Sequence, residues 1–163
     1  MKSFYTLILA SLVACSAVAQ SKSFLTLKER FSGHAETYSF STSGFFARTV
    51  LRLAGEDECL HAFRDVRNVR LMVIPKAAFR RENLTLGGFV KFTRQDGFEE
   101  LGHVRDNGDE VTLLIQAPKK NADNRYLVLV DDQDEVVAIE VKGYIDPEIL
   151  LNPGHKKLAY SNN

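Results

Sequence analysis

Residues 99–117, EELGHVRDNGDEVTLLIQA, decide the fold. From Phe98 onward the apolar residues follow a period of two, which is typical of β-strands. The tetrapeptide Asp106-Asn107-Gly108-Asp109 stands in the middle, and Asn-Gly tolerates the positive φ values that a type I′ turn requires. The sequence therefore predicts an antiparallel hairpin in which residues 99–105 pair with residues 110–117.

Two further strands follow this hairpin. Residues 125–130 and 135–141 flank the polar tetrapeptide 131–134, so the four strands predict an antiparallel meander. The tip carries oxygen ligands of the kind that Ca²⁺ prefers, but the twelve-residue loop with its central glycine is absent. We therefore interpret it as a solvated hairpin tip. The ligands concerned are Asp131, Asp132, Asp134 and Glu135.

The chain before the hairpin begins with a helix and a strand. Phe24, Leu27 and Phe31 recur at helical spacing, and Ser32-Gly33 is a typical helix end. Residues 36–41 alternate between larger apolar side chains and Ser or Thr, which predicts a strand with one wet face.

Two helices and a third strand are predicted next. Ser43 is a candidate N-cap for a helix over residues 45–53, whose wide apolar stripe predicts a well-buried element. The acidic residues 56–58 favour the start of a second helix, which runs through Val66 and ends at Asn68. Residues 69–74 form a strand that Pro75 terminates.

Helical spacing returns over residues 77–95. Gly87-Gly88 lies inside this segment, and glycine is unfavourable in a helix interior, so two shorter helices are the alternative. Asp146-Pro147 begins a last short helix, and residues 154–163 form a C-terminal tail.

This order of elements determines the expected fold class. Helices gather before the meander and strands follow, which favours an α+β fold: one mostly antiparallel sheet of about six strands, with helices packed on one face. A doubly wound α/β fold is the alternative, but the second half has no crossover helices. Residues 20–153 are expected to form a single domain.

The first nineteen residues are predicted to be a signal peptide. Met1-Lys2 precedes the uncharged apolar run 4–18, and Ala17-Val18-Ala19 fits the small-residue pattern before a signal peptidase cut that leaves Gln20 first. The alternative is a lipobox, residues 12–15, in which Cys15 becomes the lipid-bearing first residue. Both routes predict export, either to the periplasm or medium or to a membrane surface through Cys15.

Charge and cysteine content narrow the possible functions. The 163 residues carry 21 Lys and Arg against 21 Asp and Glu, so no broad positive field favours nucleic-acid binding. Of the two cysteines, Cys15 is removed or lipidated, which leaves Cys59 as the one thiol of the processed chain and excludes an internal disulfide.

No motif assigns a catalytic, cofactor-binding or metal-binding residue. The four histidines have no ligand spacing, and Cys59 and His61 point to different sides of a predicted helix. Cys59 paired in space with His61 or His103 remains a candidate nucleophile, because such partners need not be neighbours in sequence.

The order of segments resembles the family known as domain of unknown function 4252, exported proteins of Bacteroidota. The segments that carry the resemblance are Phe24-Leu-Thr-Leu-Lys-Glu-Arg-Phe31, Val69-Arg-Leu-Met-Val-Ile74, Phe98-Glu-Glu-Leu101 and Glu140-Val-Lys-Gly-Tyr-Ile145. The resemblance implies an envelope protein without known enzyme activity, encoded near extracytoplasmic sigma-factor regulation, and it supplies no site residues.

Three functional hypotheses follow. The first is a non-enzymatic binding or stress-response accessory module whose sheet presents one face to an envelope protein partner. The second is an envelope hydrolase or thiol enzyme that uses Cys59 with a spatially adjacent histidine. The third is a regulatory protein of an export-stress circuit.

Overall fold

The structure, a computed structural model, describes residues 20–53, 64–106, 108–117 and 123–145. These residues form one six-stranded sheet and four helices. The helices are α1 (Lys22–Phe31), α2 (Gly44–Leu53), α3 (Lys76–Arg81) and α4 (Leu86–Gln95). The strands are β1 (Tyr38–Ser43), β2 (Asp65–Pro75), β3 (Glu99–Asp106), β4 (Asp109–Gln116), β5 (Arg125–Asp131) and β6 (Glu135–Tyr144).

All five strand pairings are antiparallel, in the order β1-β2-β6-β5-β4-β3. The predicted meander is confirmed as β3 to β6, and the predicted hairpin pairs Asp106 with Asp109 across a two-residue connection. β6 closes the meander and then pairs with β2, which puts the last strand in the middle of the sheet. The α+β fold class is confirmed.

Three helices cover one face of the sheet and build the main core there. α1 follows from its sequence: Ser21 caps it by accepting a hydrogen bond from the Phe24 N–H at 3.0 Å, and Phe24, Leu27 and Phe31 share its buried face. α3 and α4 add Ala78, Phe79, Leu86 and Phe89. The sheet contributes Met72, Ile74, Leu114, Leu127, Leu129, Val136 and Ala138.

The segment over residues 77–95 is two helices, so the alternative that Gly87-Gly88 suggested is confirmed. α3 ends at Arg81, and Asn83 has a φ of 51° in the connection that follows. The Thr85 hydroxyl then accepts a hydrogen bond from the Gly88 N–H at 3.1 Å and caps α4. Because both glycines lie in the first turn of α4, they do not interrupt a helix interior.

The prediction that Val66 belongs to a helix is wrong. β2 begins at Asp65, which pairs with Tyr144, so the strand is longer than the predicted 69–74. Pairing with a distant strand has overridden the local helical spacing. Gly143, which lies beyond the predicted end of the last strand at residue 141, is within β6 opposite a bulge, and a Cβ there would overlap the backbone of Asp65 and Val66.

The prediction that residues 45–53 form a well-buried helix is wrong for its first turn. The helix is present as α2 and the Ser43 hydroxyl accepts from the Phe46 N–H, but Phe45 and Phe46 are 74% and 52% exposed. Gly44 lies against the Val66 carbonyl, too close for a side chain, and the Arg48 guanidinium donates to that same carbonyl at 3.0 Å. α2 is therefore held to β2 by polar and backbone contacts.

Several predictions lie outside the described residues. They are the signal peptide and lipobox over residues 1–19, the helix over residues 56–63 with Cys59 and His61, Asn107 of the turn, the final helix from Asp146, and the tail over residues 154–163. None of the described helices has the length and apolar character needed to cross a membrane.

Candidate functional site

The face of the sheet opposite α1, α3 and α4 is apolar across all six strands, and we call it the open face. The strand register arranges its side chains in three rows, each of which crosses the sheet from β1 to β3. The first row is Tyr38, Val73, Val137, Val130, Val111 and Val104; the second is Phe40, Leu71, Ile139, Val128, Leu113 and Gly102; the third is Thr42, Val69, Val141, Tyr126, Ile115 and Glu99.

The two faces of the sheet differ in polarity at its edges. At the two edges of the sheet, the helix-covered face presents Ser39 and Ser41 on β1 and His103 and Arg105 on β3. On the open face the same strands present Tyr38, Phe40 and Val104. An antiparallel sheet with one solvated face normally carries polar residues on that face. The open face instead carries mainly apolar residues.

Exposure along the open face is uneven. Tyr38, Phe40 and Val104, at the two edges, are 68%, 54% and 64% exposed. At one end of the strands Val66, Tyr126, Val141 and Ile145 form a small buried cluster. The two edge strands and the first row are therefore the accessible part of this surface.

A buried ion pair lies on the helix-covered face. The Arg70 guanidinium donates to the Glu140 carboxylate, and the two side chains are 5% and 0% exposed. The other Glu140 oxygen accepts from the Ser21 backbone N–H at 3.1 Å. The pair thus ties β2 and β6 to the start of α1, which is a structural role.

A polar cleft of about 540 Å³ opens beside this pair. Its carboxylates are already engaged: Asp96 accepts from the N–H and hydroxyl of Ser23 at 2.8 Å, and Asp123 lies 3.2 Å from Arg67 and 3.8 Å from Lys142. Both carboxylates therefore hold neighbouring elements of the fold in place.

The two described histidines have separate partners. His34 Nε2 lies 2.9 Å from Glu82 Oε1, and His103 Nδ1 lies 3.2 Å from the Thr112 hydroxyl and 3.8 Å from Glu110 Oε1. The structure does not bring them together. Cys59 and His61, the other members of the predicted nucleophilic pair, lie outside the described residues.

The acidic tip predicted between β5 and β6 is a hydrogen-bonded turn. Asp132 Oδ1 accepts from the backbone N–H groups of Asp134 and Glu135, both at 2.8 Å, and these bonds hold the pKa of Asp132 below its ordinary value. Lys76 pairs with Asp131 at 2.8 Å. Within the described residues, no three His, Cys, Asp or Glu side chains are grouped to hold a metal ion.

Sequence reasoning predicted a sheet face presented to a partner, but it missed the apolar composition of that face. Its signal is present in the strands near residues 126–130 and 136–139, YLVLV and VVAI, which are continuous apolar runs rather than alternating ones. Continuous runs are typical of strands that are buried on both faces. These runs indicate that the sheet face without helices is apolar as well.

Comparison with known proteins gives one match. The family model described as Domain of unknown function (DUF4252) matches residues 33–151, a span that contains all six strands. No curated protein and no solved structure matches the chain. The family match covers most of the chain, so the resemblance inferred from the order of its segments is confirmed and the chain belongs to the DUF4252 family.

Proposed function

We propose that this chain is an exported envelope protein that acts as a non-enzymatic binding module and docks a protein partner through its open face. The observation that carries the proposal is the extent of that face, whose first two rows carry no charged residue from one edge of the sheet to the other. Large apolar patches on soluble proteins mark interaction sites.

The size of the open face fits a protein partner. With strand spacings of about 4.8 Å and a rise of about 3.4 Å per residue, the rows cover roughly 600 Å² including side chains. One partner of a standard protein interface contributes about 800 Å². Because Tyr126 and Val141 in the third row are buried, the accessible rows supply about half of one partner's share of such an interface.

The chemistry of the face indicates what the partner presents. Among its eighteen positions the one charged residue is Glu99, at the edge of the third row. Surfaces that adsorb to anionic lipid place Lys and Arg around an apolar face, and none is present in these rows. A complementary partner surface is apolar and uncharged, as in the centre of a protein interface.

Export is supported by the sequence of residues 1–19, in which an uncharged apolar run precedes Ala17-Val18-Ala19. Intact-mass measurement of the chain processed by its own cell tests this step. We expect a first residue at Gln20 or a lipid-bearing Cys15, and a chain that keeps Met1 would contradict export.

Photo-crosslinking in living cells tests the docking surface. A photoreactive benzoylphenylalanine at Val104 or at Val111, neighbours across β3 and β4, should give an adduct with one and the same protein. The matched control is the same residue at Glu29, which is exposed on α1 in the helix layer. Adducts formed equally well from Glu29, or none from either open-face position, would contradict the proposal.

A stress-response role is part of the proposal, and it comes from the regulatory context that the resemblance implies. Deletion of the gene should change the transcript profile of cells under envelope stress. An unchanged profile would remove the stress-response role and leave the docking surface to be judged by crosslinking.

A further inference from the structure

We propose that β1 is a pairing edge at which a second copy of this chain adds, strand β1 against strand β1, to form one continuous twelve-stranded antiparallel sheet. This surface is the rim of the sheet and is distinct from the open face. Three features of β1 support this pairing: its exposure, its contrast with β3 and its self-complementary sequence.

β1 is exposed along its length. It pairs with β2 alone, and each of its residues is exposed except Thr42, which is half-buried. An edge strand with one paired side presents alternate N–H and C=O groups outward on the other side. β1 therefore offers a six-residue template for another strand.

The two edges of the sheet differ in how they are protected. Soluble proteins usually protect an edge strand with charges, proline or a bulge. β3 has such protection: a bulge between Glu100 and Gly102, and five ionisable residues among eight. β1, with the sequence YSFSTS, has no charge, no proline and no irregularity in its register. Pairing another strand with β3 would therefore be costly, whereas β1 has none of these protections.

The sequence of β1 matches itself under a two-fold axis. In antiparallel pairing, opposite residues point to the same face of the sheet. Phe40 then stands opposite the partner's Phe40, Tyr38 opposite the partner's Thr42, and Ser39 opposite the partner's Ser41. An aromatic pair stabilises such an arrangement, and no like charges meet. The same axis places both open faces on one side, so pairing doubles the width of the proposed docking surface.

Sedimentation of paired charge variants tests the proposal. The chain is expressed with its own N-terminal segment and purified as the cell processes it. At a concentration of tens of micromolar, the wild-type protein should sediment as a species with twice the mass of the monomer. Ser39→Lys and Ser39→Glu should each weaken the dimer about threefold, because like charges then lie on diagonal neighbours across the axis. An equimolar mixture of the two variants should restore the dimer.

Variants of Ser39 distinguish a loss of dimer pairing from a loss of folding. Ser39 is exposed on the helix-covered side of the rim, away from the open face, and restoration by mixing requires both variants to be folded. His103→Lys is the matched control, because His103 ends the same cross-strand row at the protected edge. It should leave the dimer unchanged.

Three results would overturn the proposal. The first is a wild-type chain that remains monomeric at these concentrations. The second is a dimer that both Ser39 variants retain. The third is a dimer that Val111→Lys abolishes and Ser39→Lys does not, which would assign self-association to the open face instead of the edge.

Discussion

Arg70 and Glu140 place opposite charges inside the helix-covered layer, and Glu140 also accepts the Ser21 N–H. Removing one member of such a pair leaves an uncompensated buried charge. We expect Glu140→Leu to lower the free energy of unfolding by about 3–5 kcal/mol in urea denaturation. Arg70→Met combined with Glu140→Leu should recover most of that loss. A single Glu140→Leu variant as stable as wild type would show that the pair is not isolated from water.

A second prediction at this scale concerns Asp132, whose carboxylate accepts two backbone N–H groups in the turn between β5 and β6. Its pKa is lowered from 3.8 by these bonds, so its contribution to stability is present above that pH and is lost as the pH falls further. Asp132→Ala should cost up to about 1 kcal/mol near neutral pH, since the turn is exposed to water. The difference from wild type should shrink in strong acid.

The control for Asp132 is Gln133→Ala, an exposed residue of the same turn for which the structure shows no side-chain hydrogen bond. Urea midpoints of both variants across pH give the measurement. A difference between Asp132→Ala and wild type that grows as the pH falls would contradict the role assigned to the carboxylate.

At the scale of elements, the pairing of β2 with β6 depends on Gly143. Its φ is 137°, and a Cβ would overlap the Asp65 carbonyl oxygen and the Val66 Cα at the bulge. Gly143→Ala should therefore lower the free energy of unfolding by about 1–3 kcal/mol. Gly102→Ala is the control, because a Cβ there meets no atom within 4 Å. Equal urea midpoints for the two variants would contradict the close approach at Gly143.

The elements also show which parts of the fold could be predicted from the sequence. The meander was predictable because its turns are local: Asn107-Gly108 selects a tight hairpin and the tip at Asp132 is short. Val66 was assigned to a helix because its strand character comes from β6, far along the chain. The local spacing of apolar residues predicts a strand well when its pairing strand is close in sequence, and poorly when that strand is distant in sequence.

At the scale of the whole molecule, the candidate site depends on which strands become neighbours. Apolar runs such as YLVLV indicate two buried faces, but the rows that join Tyr38 to Val104 exist only once β6 lies between β2 and β5. The sequence thus predicted one sheet with helices on one side, while the open face appeared only with the full strand order. A docking surface built from six strands has no local motif.

The central claim is that the open face is covered by a protein in the cell envelope. In a Cys59→Ser background, Val111→Cys places a thiol at a position that is 36% exposed, and Glu29→Cys places one on α1 as the control. We predict that maleimide labels both thiols in the purified chain, and that in intact envelopes it labels Glu29→Cys but not Val111→Cys. Equal labelling of Val111→Cys in purified chain and envelopes, or protection of it in both, would contradict the account.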